Sequence, residues 1–359
     1  MRLTQLQVSN FRNIESIQCQ LDPQVNLITG NNAAGKTSLL ESIYYLSHLR
    51  SFRSHQLSDL IRRDTQYLQI FAQTLSKENL MIPMGIRRSR NKTTIRFNHQ
   101  PVNRVSDIAA KFPVLSIHPD SYKLITGSPV QRRQYMDWGV FHVEQDFFQS
   151  WRLFRQSLAQ RNAALKSRED KAYCQLWDKI IVEHANYIDQ FRQTYIDALQ
   201  HYLLSLAKLF FHKDELSIEY KRGWSTDITL EELLIKQFEK DKLKGYTCYG
   251  PHRAEIIIKV NGQSAQNGIS RGQQKTLVAL MRLAQAQHFT DTSQQLCILL
   301  YDDLAAELDG HHREMILSVL SKMHVQLFLT TIEADQIDLS SWSSKKMFHV
   351  EHGCMKDLI

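Results

Sequence analysis

The chain has 359 residues, 43% of them hydrophobic and 23% charged, the balance of a globular protein long enough for two cores. It offers no run of 18 apolar residues and no apolar stretch behind Arg2, so neither a membrane span nor a secretory leader is expected; five scattered cysteines (Cys19, Cys174, Cys248, Cys297, Cys354), with no CxxC pair, favour a reducing cytoplasm over disulfides or zinc. The formal charge of +7 is concentrated, because residues 50–104 hold eleven Lys/Arg against three acids, which suggests either a polyanion partner, nucleic acid first, or a solvated β-rich surface.

Leu3, Leu6, Val8 and Phe11 alternate loosely, as along a half-buried strand. Val25-Asn26-Leu27-Ile28-Thr29 reads as a short strand running into Gly30. Beyond that loop Leu39, Leu40, Ile43, Leu46 and Leu49 recur at helical spacing. Residues 66–104 break into short apolar runs separated by charge and turn residues, which predicts antiparallel strands. Residues 135–209 are almost free of Gly and Pro. They set Phe147, Trp151, Phe154, Leu158, Trp177, Ile181 and Ile188 at helical intervals, without a sustained heptad. Strand character returns near Gly245; a helix over 273–289, an apolar strand over 297–301, a helix over 311–322 and a last strand over 325–329 follow. The expectation is an α/β head made of both chain ends, 1–118 and 241–359, with a mainly helical lobe, 119–240, inserted between them.

Gly30, Gly35, Lys36 and Thr37 match G-x-x-x-x-G-K-[ST], with Asn31, Asn32, Ala33 and Ala34 between the glycines and Ser38 after. Successive N–H groups can wrap phosphate oxygens only where glycines permit the path, Lys36 reaches the β- and γ-phosphates, and Thr37 offers Mg²⁺ a hydroxyl. The helix that starts there turns its positive end to the anion. ATP and Mg²⁺ are therefore the expected ligands. Ile298-Leu299-Leu300-Tyr301-Asp302-Asp303 is an apolar strand with acids at its carboxyl end, the pattern of a Walker B strand. Asp302 is assigned to Mg²⁺ and Asp303 to the attacking water. Ser270, ahead of Arg271, Gly272 and Gln273, caps the next helix and could itself make an anion site.

Ser270-Arg271-Gly272-Gln273 resembles the signature loop of ABC-class ATPases, some thirty residues before Walker B, and Ala306-Glu307-Leu308-Asp309 resembles their D-loop. Within that class the chain resembles, essentially end to end, the RecF family of SMC-related repair ATPases. The shared segments include Asn10-Phe11-Arg12-Asn13, Gln131-Arg132-Arg133, Asp137-Trp138-Gly139, Gln160-Arg161-Asn162-Ala163-Ala164-Leu165 and Gly250-Pro251-His252-Arg253. The resemblance implies an ABC/SMC-type head that binds single-stranded, gapped or duplex DNA in the cytoplasm. It implies action in replication-fork repair and SOS induction, with RecR and RecO in loading RecA. It further implies an ATP-dependent homodimer in which Ser270, Gly272 and Gln273 contact the nucleotide of the opposing subunit and Asp309 lies at the seam.

Asp303 stands where the wider class has Glu, one methylene longer, so slow turnover is expected. Thr330-Thr331 replace a switch histidine, and their hydroxyls either hold the water or satisfy a strand end. His118-Pro119-Asp120 is only a positional candidate for a Q-loop. Arg12 either reaches the nucleotide or is a surface arginine; Arg132 and Arg133 either bind DNA or pair with lobe acids; His252 reads as structural. Arg62, Arg63, Arg87, Arg88, Arg90 and Lys92 are the candidate DNA contacts. A head coupled to a transporter or a nuclease is the competing reading.

Overall fold

A computed structural model describes residues 1–54, 56–211 and 214–358. Two compact units result: Met1–Ser121 with Lys275–Ile359, and Tyr122–Gln274.

The first unit is an α/β head, as expected, built on two six-stranded sheets. One is antiparallel and runs Ile14–Gln20, Arg2–Phe11, Tyr67–Leu75, Met81–Ser89, Thr93–Phe97, Gln100–Pro101. The loose alternation of its longest strand has a local cause. The register with Tyr67–Leu75 shifts between Leu3 and Gln5, and this bulge returns both Leu3 and Leu6 to the core. The other sheet orders Cys354–Asp357, Lys345–Glu351, Val25–Thr29, Val325–Thr330, Cys297–Tyr301, Val114–Ile117. All its pairings are parallel except that of Cys354–Asp357. Val25–Thr29, Cys297–Tyr301 and Val325–Thr330 are buried along their whole length, which is why they read as unbroken apolar runs. The helix Lys36–His48 packs into one core with both sheets. Buried Gln326 ties them further: its amide exchanges 2.7 Å hydrogen bonds with Leu3 N and O and donates to Asp22 O at 2.7 Å.

The second unit is mainly helical, with Pro129–Val143, Phe147–Lys166 and Asp178–Phe210 as its long helices. Along Asp178–Phe210 the buried positions Ile181, Ala185, Ile188, Arg192, Ile196, Leu199 and Leu203 recur every three or four residues, one apolar stripe carrying a single charge. Gly139 lets Pro129–Val143 approach closely, since a Cβ there would lie 2.0 Å from the Tyr195 hydroxyl.

The boundary expected at 240 is displaced. Glu255–Val260 pairs antiparallel with Leu216–Lys221, and this ladder binds residues 241–274 to the inserted unit. Apolar periodicity over a six-residue strand does not say which partner completes it.

Candidate nucleotide-binding site

The strand Val25–Thr29 delivers Gly30 at φ 142°, where a Cβ would meet Val350 O at 2.2 Å, so only glycine fits. Gly35, at φ 125°, opens the helix Lys36–His48, whose first turn no side chain caps. Its leading N–H groups lack intrahelical partners and face a cavity of about 490 Å³ lined by the loop, Lys36, Thr37, Asp302 and Asp303. Lys36 is buried, and its Nζ donates to Gly30 O at 2.6 Å and Asn31 O at 3.0 Å. Burial depresses its pKa, against the raising fields of Asp303 and Asp302. An uncapped helix terminus, a glycine path and a desolvated cation make a site for a polyphosphate.

Asp302 ends the strand Cys297–Tyr301 and comes to Thr37, whose Oγ1 donates at 3.0 and 2.9 Å to its two carboxylate oxygens. Burial raises the Asp302 pKa, opposed by hydrogen bonds from Thr330 and Thr37. The Thr330 hydroxyl donates to Asp302 at 2.8 Å and accepts from Asp303 N at 2.7 Å. It is a satisfied strand-end residue that fixes both acids. Thr331 donates instead to Gln336 at 2.9 Å. Asp303 sits in the left-handed region at φ 58° and faces the cavity. The donor set of hydroxyl and carboxylate oxygens suits a hard divalent cation such as Mg²⁺.

Arg12, left by the sequence as either a nucleotide contact or a surface arginine, reaches the cavity wall, and residues that chain spacing did not reveal join it there. Arg12 lines the cavity at φ 52° and forks onto fully buried Glu41, with Nη2 at 2.6 Å. Ser51 donates to the same carboxylate and Arg53 lies 3.9 Å from it. Glu41 follows Leu39 and Leu40 on a helix buried almost all round, and an acid there was the available signal. Asn13 accepts from Ser38 Oγ at 2.7 Å and donates to Ala33 O at 3.0 Å, bracing the loop from outside. Pro119 of the Q-loop candidate reaches the cavity, while His118 stacks on Phe52.

In the second unit, Ser270 and Gln273 form a reciprocal cap: Gln273 N donates to Ser270 Oγ at 3.2 Å and Ser270 N to Gln273 Oε1 at 2.9 Å. Ser270, Arg271, Gly272 and Gln273 are all exposed. In the head, Asp309 caps the helix Gly310–Leu320 by accepting from His312 N at 3.0 Å.

The candidate DNA residues do not form one face. Arg87 and Arg88 are strand neighbours and so point to opposite sides of the sheet. Arg88 donates to Tyr45 Oη at 2.7 Å and Leu49 O at 3.3 Å, an internal brace; Arg87 stacks on Tyr67 at 3.9 Å. Arg62 pairs with Glu15 at 2.9 Å, and Arg63, Arg90 and Lys92 stay exposed. In the second unit Arg132 is bidentate to Glu255 and donates to Gly127 O at 2.8 Å, while Arg133 donates to Ala254 O at 2.8 Å. His252 contacts Thr247 O at 3.0 Å and burial lowers its pKa to about 4, a structural histidine.

The family described as the RecF/RecN/SMC N-terminal domain matches residues 2–356. The DNA replication and repair protein RecF of Aliivibrio fischeri strain MJ11 is 38% identical over 354 residues, covering 98% of this chain and 99% of its own. The protein of that name from Thioalkalivibrio sulfidiphilus is 38% identical over 357 residues, 99% of each. A solved structure of the recombination mediator protein RecF with ATP, described as acting in the RecFOR pathway, aligns with TM-score 0.90 at 24% identity, covering 100% of this chain and 98% of that one. An SMC head bound to the C-terminal winged-helix domain of ScpA aligns with TM-score 0.60 at 13% identity, covering 100% and 97%. These two show the fold.

Proposed function

The chain belongs to the RecF/RecN/SMC N-terminal-domain family, and on that premise we propose that it is an ATP-switched DNA-binding protein of replication and recombinational repair. The observation that carries the reading is the meeting of Thr37 and Asp302, 265 residues apart in the chain, at 2.9 Å beneath the glycine loop. Lys36 takes the phosphate charge of ATP, and Thr37 and Asp302 hold Mg²⁺, which when bound shares the charge of the β- and γ-phosphates. Asp303, held in place at its N–H by Thr330, orients the attacking water. Its short carboxylate makes hydrolysis slow, and DNA stimulates it.

Exposed Ser270, Gly272 and Gln273 complete the nucleotide site of a second copy, so ATP drives a homodimer and hydrolysis releases it. The dimer binds single-stranded, gapped or duplex DNA in the cytoplasm. It works with RecR and RecO to load RecA and induce the SOS response. Among the described residues no helix is long and apolar enough to cross a membrane.

Light scattering with ATP, ADP and no nucleotide tests this. The wild type is expected to dimerise with ATP alone, Asp303→Asn to stay dimeric, and Lys36→Ala and Ser270→Arg to remain monomeric. Normal ATP-dependent dimerisation of Ser270→Arg would remove the shared-site reading.

A further inference from the structure

Two segments play no part in the nucleotide pocket: Gln160-Arg161-Asn162 and Gly250-Pro251-His252-Arg253. In the inserted unit they converge on one turn. Fully buried Arg161 donates to Asp178 at 2.7 Å, and to Asp241 and Thr247 Oγ1 at 2.8 Å each. Asn162 Oδ1 accepts from both Thr247 N and Thr247 Oγ1 at 2.8 Å. Asp241 also accepts from Cys248 N at 3.0 Å, and fully buried Arg192 donates to Pro251 O at 2.7 Å. Residues 247–251 are thus pinned from beneath by side chains of three helices. Burying two guanidinium groups carries a desolvation cost that their partners must offset, a strong restraint to spend on one turn.

What this scaffold displays is aromatic and cationic. Tyr246 is 39% exposed, with the Arg253 guanidinium 5.1 Å and the Lys244 ammonium 5.9 Å from its ring centroid. Tyr249, half-buried, carries Lys240 at 5.6 Å from its ring, and that ammonium donates to its hydroxyl at 3.3 Å. Lys240, Lys244 and Arg253 are exposed, whereas Asp241, on the same short helix, is turned inward onto Arg161. That leaves Glu239 as the exposed acid of Phe238–Lys244.

We propose that this turn is a platform for unpaired nucleic-acid bases, with Tyr246 and Tyr249 as stacking faces and Lys240, Lys244 and Arg253 as phosphate contacts. The proposal rests on the DNA-binding reading above and deepens it by naming a single-strand contact in the unit that does not hold the P-loop. Duplex bases hide both faces in their stack, so rings backed by cations read a single strand. An acidic peptide would engage the three cations and leave the ring faces without a role.

The test uses the full-length protein with ATP and an oligodeoxythymidylate carrying 2-aminopurine, beside a duplex of equal length. Binding is followed by anisotropy and stacking by 2-aminopurine quenching. Tyr246→Leu and Tyr249→Leu are each expected to weaken single-strand binding about tenfold and to lose quenching, with Tyr246→Phe retaining both. Lys244→Ala and Arg253→Ala are each expected to lower the single-strand salt slope by about 0.7. Duplex binding and the melting temperature stay at wild-type values in every variant. Wild-type affinity and quenching in both leucine variants overturn the platform. Loss of affinity in the cation variants, with no quenching in the wild type, also overturns it and leaves a site for acidic or phosphorylated chains. A wild type that binds neither single strand nor duplex defeats the DNA-binding reading itself.

Discussion

In the head, Lys36 is 8% exposed and Asp302 4%, yet their partners are backbone carbonyls and threonine hydroxyls at the edge of a cavity. In the inserted unit, Arg161 and Arg192 are fully buried and each grips carboxylates: Asp178 and Asp241 for one, Asp137 for the other. The first pair of charges is held by neutral groups that a ligand can replace without leaving an ion unpaired. The second is closed on itself in charge, though Arg161 Nη2 makes no hydrogen bond, and removing a partner strands an ion. Burial alone therefore does not mark a functional residue. What distinguishes the pocket is that its charges are buried and still replaceably held.

Breaking the closed network should have the largest effect. Arg161→Met strands Asp241, leaving its carboxylate the hydrogen bond from Cys248 N, and is expected to cost about 3–5 kcal/mol of stability. Urea or thermal unfolding measures this, and a variant as stable as wild type would mean that the network is not closed. Lys36→Ala should leave the unliganded protein's stability within about 0.5 kcal/mol, because its partners are carbonyls open to the cavity. The loss appears only with ligand: ATP and Mg²⁺ at a hundred times the dissociation constant stabilise the wild type by about 2.7 kcal/mol and the variant by nothing. Paired melting curves with and without nucleotide read both halves.

The smallest effect sharpens the boundary between the two kinds of site. Thr330→Val keeps the shape but removes one hydrogen bond to Asp302 and one from Asp303 N. Turnover is expected to fall by about tenfold to a hundredfold, equivalent to about 1–3 kcal/mol, with ATP affinity little changed. A fall in affinity equal to the fall in turnover would assign Thr330 to ligand binding instead of to aiming the two acids.

The parts of the site legible in the sequence were those written in consecutive residues. The glycine spacing, Lys36 and Thr37 carry their meaning locally, because the loop's backbone path does the binding. Asp302 was legible because an all-apolar strand must end at the sheet's carboxyl edge. Arg12 was legible only as one of two alternatives, and Glu41, Ser51 and Arg53 were not, since the ion-pair network that joins them links a strand end, a helix and a loop whose approach no periodicity states. The basic block is spread over more than one face for a related reason. Charge counted along a chain ignores the pleat, and the pleat sent Arg87 and Arg88 to opposite faces.

The strand, glycine loop and helix, the acids that end the Walker B strand, and the capped Ser270 loop can be read in chain order, because each is fixed by interactions within a few residues. That residues 241–274 belong with the inserted unit follows instead from a ladder between strands some forty residues apart, which chain order does not show. Distant packing likewise brings Thr330 onto both acids and sets Arg161 and Asn162 against the turn carrying Tyr246. Those outcomes depend on which distant groups share one buried volume, and hydrogen-bond satisfaction there is settled by packing and not by spacing along the chain.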